Sequence, residues 1–94
     1  MTNMHAIYKY PLQITDVQRI LVADPVRPLS VQVQRDGLCL WYEVRPDGPI
    51  RNVEVFITRT GHRFDGALVD NDFVYVGTVQ FQDALVWHVF CRLV

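Results

Sequence analysis

Apolar and polar residues alternate with a period of two along most of this chain. In Leu29-Ser30-Val31-Gln32-Val33-Gln34, Leu29, Val31 and Val33 fall on one face and Ser30, Gln32 and Gln34 on the other, as in a half-buried strand. Asp36-Gly37 follows, a strong hairpin signal. The next run, Leu38 to Arg45, sets Leu38, Leu40, Tyr42 and Val44 against Cys39, Trp41 and Glu43. These two strands are expected to pair antiparallel. Pro46-Asp47-Gly48-Pro49 is a turn by composition. Alternation resumes from Asn52 to Thr60, with Val53, Val55 and Ile57 opposite Glu54, Phe56 and Thr58, until Gly61 breaks it. His62 to Asp72 reads as a loop.

The last third carries the strongest strand signal. Phe73 to Phe81 is nearly continuous in β-formers. Gly77 inside it predicts a bulge or a close backbone approach. Gln82-Asp83-Ala84 is a turn, and Leu85 to Val94 follows. There Leu85, Trp87, Val89, Cys91 and Leu93 share one face, and Val86, His88 and Phe90 the other. Apolar residues on both faces predict a central strand, or one covered by another subunit. Near the start, Ala6 to Tyr10 forms a strand ended by Pro11. Val17 to Val22 is read as a strand, with a short helix capped by Thr15 or Asp16 as the alternative. The sum is an all-β domain: a small antiparallel sandwich or barrel of six or seven strands, with little or no helix.

Length and composition narrow the class. The 94 residues make one domain, 1–94. Half the residues are apolar and 20% charged, which excludes a disordered chain and leaves surface for an oligomer interface. Net charge is −1 and no basic run exists, which argues against nucleic acid as a partner. Lys9 is the only lysine among nine basic residues, so the cationic groups are almost all guanidinium forks suited to phosphate or carboxylate. A GC-rich genome would give the same bias. Cys39 and Cys91 sit in apolar runs and read as buried thiols. The first residues lack a secretory signal pattern. No run approaches the roughly 20 apolar residues of a membrane helix. The expectation is a cytoplasmic protein of a bacterial host, without membrane contact.

Four segments together resemble a known family. They are Lys9-Tyr10-Pro11-Leu12 with Ile14-Thr15-Asp16, Leu29 to Gln34 with Leu38-Cys39-Leu40-Trp41, Thr60-Gly61-His62, and Tyr75 to Gln80 leading to Ala84-Leu85-Val86-Trp87-His88-Val89-Phe90. Their order is similar to that of a family of small, functionally uncharacterised proteins encoded by tailed phages, prophages and some bacteria. The resemblance runs from about Tyr8 to Phe90 and implies origin and domain extent, with no activity attached. The last hairpin turn of that family is often Gly-rich, whereas here it reads Gln82-Asp83-Ala84.

Few groups could carry chemistry. Gly61 allows a ligand close to the backbone, and His62 and Arg63 beside it could grip a phosphate or carboxylate. The plainer alternative is an exposed glycine turn. His88, between Trp87 and Val89, is either a ligand-facing group or a partly buried histidine hydrogen-bonded to backbone. Trp41 shares a face with Glu43 and Arg45, where it could anchor a partner or belong to a second core layer. Arg45, Arg59 and Arg63, with Trp41 and His62, could line one basic, aromatic groove. His62, His88, Cys39 and Cys91 lack metal-ligand spacing, so neither metal nor cofactor is expected. The cysteines are too apolar in setting for a thiolate nucleophile. Asp70 and Asp72 read as solvated loop carboxylates. No nucleophile elbow, phosphate loop or dinucleotide fingerprint occurs. The expected function is therefore non-catalytic: a phage-type protein acting on a host or phage protein, as a homo-oligomer. The alternative is a binder of a small anionic ligand, such as a nucleotide signal in host defence.

Overall fold

The computed structural model describes residues 3–35, 37–69, 72–81 and 84–94. Among these, seven strands form: β1 (Ala6–Pro11), β2 (Val17–Ala23), β3 (Pro25–Gln34), β4 (Gly37–Val44), β5 (Ile50–Arg59), β6 (Val74–Phe81) and β7 (Leu85–Leu93). The only helical element among the described residues is a 3-10 turn at Gly66–Leu68. The strands build two antiparallel sheets, ordered β1-β4-β3 (sheet A) and β2-β5-β7-β6 (sheet B), packed as a sandwich. Val17–Ala23 is a strand, so the helical alternative there is set aside.

The alternation read from the sequence is what closes the core. Leu38, Leu40, Tyr42 and Val44 point inward from β4 and meet Val53, Val55 and Ile57 of β5 with Val89 and Cys91 of β7. In the middle of this layer Tyr42 of sheet A and Cys91 of sheet B are buried in the shared core. Burial pushes the Cys91 thiol up to about 11 and raises Tyr42 well above its ordinary value. Both cysteines are free and buried. β7 lies between β5 and β6, the central place its two apolar faces predicted.

β3 departs from the simple alternation. It begins at Pro25, and its pairing with β4 slips between Pro25 and Arg27 and again between Pro28 and Ser30. Prolines and bulges are tolerated because β3 is an edge strand, where one row of N–H groups needs no partner. The second slip takes Leu29 out of the core layer expected for it and leaves it 39% exposed, while Val31 stays buried opposite Leu40. Gly77 shows both features expected of it. The β6–β7 register shifts between Tyr75 and Gly77, and a Cβ at Gly77 would stand 2.9 Å from Val31 Cγ1 of the other sheet. The missing side chain lets the sheets close at that corner.

The β3–β4 hairpin pairs Gln34 with Gly37, and the β6–β7 hairpin pairs Phe81 with Leu85. Ala84 in the second hairpin holds a left-handed φ of 75°. Asp36, Asp70, Asn71, Gln82 and Asp83 lie outside the described residues. The Asp70–Asp72 pair and the details of both turns at those positions therefore go undescribed.

Candidate functional site

The structure brings together part of the expected basic group. β5 ends at Arg59, and the His62 N–H donates to the Arg59 carbonyl (3.0 Å) to close a turn. Gly61 in that turn has φ 83°, which a side-chain-bearing residue adopts only at a cost. The Ile57 N–H donates to the Asp16 carbonyl (3.0 Å), drawing the Ile14–Asp16 segment alongside. Between this segment, the end of β5, His62 and Trp87 lies a cleft of about 240 Å³. Arg59 and His62 also border an adjoining depression that reaches Gly61, Arg63 and Val86. In the wall of the cleft Trp87 Nε1 is buried and makes no hydrogen bond, and Thr58 Oγ1, on the opposite face of β5, is likewise buried without a partner. A buried polar atom left this way costs about 1–3 kcal/mol.

Trp41 and Arg45 do not join this group, so the single groove expected from the sequence is not formed. The turn after β4 carries the chain from sheet A to sheet B, so β4 and β5 do not pair. Arg45 sits at that crossover, 3.8 Å from Asp24 in a loose ion pair. Arg59 is at the other end of the ten-residue β5, roughly 30 Å along a strand. Trp41 stands half-buried on the outer face of sheet A, flanked across the strands by Lys9 and Ser30. It does share its face with Glu43, as the alternation required.

A second feature lies on the outer face of sheet B. Strand pairing sets Val17 opposite Phe56, Phe56 opposite Phe90, and Phe90 opposite Tyr75, so one apolar rung crosses all four strands. Ring centroids are 6.3 Å apart for Phe56 and Phe90 and 5.5 Å for Phe90 and Tyr75. Phe64, from the loop after β5, lays its ring 5.1 Å from Phe56. Phe56 is thereby buried, but Val17, Phe64 and Tyr75 remain 42%, 44% and 59% exposed. Such cross-strand aromatic contacts contribute about 0.5–1.5 kcal/mol each.

Polar rungs flank the apolar one. On one side Glu54 accepts from Arg19 (3.2 Å) and Arg92 (3.0 Å), and Arg92 lies over the Phe73 ring at 5.1 Å. On the other side stand Thr58, His88 and Thr78. His88 is half-buried, with Nε2 2.6 Å from Thr60 Oγ1 and Nδ1 3.0 Å from Thr78 Oγ1, and Thr78 in turn bonds the Tyr75 hydroxyl. A neutral imidazole donates through one nitrogen and accepts through the other, so the two threonines take opposite roles. The partners expected for His88 were backbone groups; they are threonine hydroxyls. The signal for the aromatic rung was present in the two-sided apolar β7, but the partners of Phe90 depend on register. Phe64 lies in a loop that periodicity does not cover.

On sheet A, Glu43 accepts from His5 (2.7 Å) and Arg27 (2.8 Å), and these two contacts, His5 first, hold its carboxyl below the usual range. His5 thus has a specific partner, which its place near the terminus did not suggest. Among the described residues no three His, Cys, Asp or Glu side chains gather to hold a metal ion, and no helix is long and apolar enough to cross a membrane.

Fold and surface together define a small β-sandwich protein with one aromatic outer face and, beside it, a cleft lined by Arg59, His62, Asp16 and Trp87. The chain belongs to the family described as Domain of unknown function (DUF7352), whose model matches residues 4–93. No curated protein and no solved structure matches it.

Proposed function

We propose that the chain is a non-catalytic binding protein of phage type that acts on a host or phage protein as a homodimer, paired through the outer face of sheet B. The observation that carries this reading is the rung Val17–Phe56–Phe90–Tyr75 with Phe64 upon it, exposed at its ends and bordered by polar rungs. An aromatic centre with a polar rim is the anatomy of a protein interface. Charge favours a second copy as the occupant. With the copies face to face and β5 laid over β7, Glu54 comes opposite Arg92, unlike charges on both sides of the two-fold axis. This arrangement leaves the outer face of sheet A, with Trp41 half-buried on it, open to the host or phage protein.

Light scattering after size exclusion tests the pairing. The expected mass is that of two chains, falling to one in Tyr75→Glu with its circular dichroism unchanged. A single-chain mass for the native protein at micromolar concentration refutes the pairing. Capture of the same host proteins by native protein and by Trp41→Ala refutes the partner face.

A further inference from the structure

We propose that the cleft beside Trp87 binds a small phosphorylated molecule that also bears hydroxyl groups, such as a nucleotide. The inference is independent of the pairing face, because it uses the end of β5 and its neighbouring loops, not the aromatic rung. Arg59 and His62 border both the cleft and the adjoining depression, where Arg63 adds a second guanidinium. Guanidinium forks match phosphate oxygens in pairs. Nothing lies within 4 Å of where a Cβ of Gly61 would stand, so a phosphate can approach the main chain there.

The opposite wall is of a different kind. The segment that hydrogen-bonds to Ile57 brings Thr15 and Asp16 to the cleft. A carboxylate repels an anion but accepts hydrogen bonds from hydroxyls. The cleft is therefore bipolar, and it orients its ligand: hydroxyls toward Asp16, phosphate toward Arg59 and Arg63. Ile14, Ile57 and the Trp87 indole give it apolar walls, the usual lining of a small-molecule site. In that same wall the Trp87 indole nitrogen is buried and left without a partner. The cleft at 240 Å³ is small, but the depression it opens into measures about 500 Å³. Together they fall within the roughly 300–1,000 Å³ of ligand pockets.

The chain has two tryptophans, so Trp41→Phe leaves Trp87 as the only indole and a reporter inside the cleft. Titration of this variant with adenosine monophosphate, ribose 5-phosphate, adenosine and inorganic phosphate is read by Trp87 emission and by calorimetry. The two phosphate esters are expected to bind, each at least about tenfold more tightly than adenosine or phosphate alone. Arg59→Gln and Arg63→Gln should each weaken the esters by about tenfold. Arg45→Gln, at the far end of β5, should change nothing. No binding of either ester, or equal binding by adenosine, or binding unchanged in the folded Arg59→Gln/Arg63→Gln double variant, overturns the proposal.

Discussion

Adding one methyl group at Gly77 should loosen the corner where the two sheets meet. The Cβ of Gly77→Ala would lie 2.9 Å from Val31 Cγ1, against a comfortable carbon–carbon separation of about 3.5–4.0 Å. The overlap is thus roughly 0.6 Å or more. Val31 cannot simply swing aside: it is β-branched, stiff at χ1, and buried at 6% exposure opposite Leu40. Its backbone nitrogen, at 3.9 Å from the new Cβ, is in ordinary contact, so the strain falls on the side chain. Overpacking of this kind costs about 1–3 kcal/mol. Restricting the unfolded chain by Gly→Ala offsets about 0.4–1 kcal/mol of that. The net expectation is a loss of about 0.5–2 kcal/mol, read as a lower urea midpoint with an unchanged m-value. Val31→Ala alone removes two buried carbons, at about 0.8 kcal/mol each before any cavity cost. In the double variant the new methyl occupies part of that space, so the cycle should show favourable coupling of about 1 kcal/mol. Additivity within about 0.5 kcal/mol, or a stabilising Gly77→Ala, would refute the close approach as the device that joins the sheets at this corner.

Two further outcomes follow from single residues. Ala84 carries φ 75° in the last hairpin, so Ala84→Gly should raise stability by about 1 kcal/mol, seen as a higher melting temperature by circular dichroism. Cys91 ionises in the folded chain near 11 instead of the ordinary 9.0, chiefly because it is desolvated. A raised folded value means its contribution is full below pH 9 and is lost as pH rises through 11. The urea midpoint should therefore fall across that window, less steeply in Cys91→Ala, and a thiol reagent at pH 8 should modify Cys91 only as fast as the chain unfolds.

Side-chain alternation made most of the strands legible before the fold was seen. It placed Leu38, Leu40, Tyr42 and Val44 on the buried face of β4, put Cys91 and His88 on opposite faces of β7, and singled out Gly77. It failed where a strand is irregular: Pro25 and Pro28 hid the first half of β3, and the slip at Leu29 reversed one facing. The candidate site was less legible, for a physical reason. A turn such as Pro46–Pro49 looks the same whether the strands on either side of it pair or part, and here they part. That one crossover leaves Trp41 and Arg45 on sheet A and its exit, and Arg59, His62 and Arg63 at the far end of sheet B and the loop after it. The aromatic rung was hidden similarly, because the alignment of Val17, Phe56, Phe90 and Tyr75 is set by pairing between distant segments and by a bulge, neither visible in local sequence.

The asymmetry between the two outer faces limits what can be assembled. The outward side of sheet A carries the charged set His5, Glu43 and Arg27, whereas the outward side of sheet B carries the aromatic rung. In the proposed homodimer, two copies joined through sheet B would cover that face in each other, and growth would end at a pair. Such a pair would display two identical Trp41 surfaces pointing away from one another. Its valency for a repetitive target would then be two, which would give a chain of only 94 residues access to avidity.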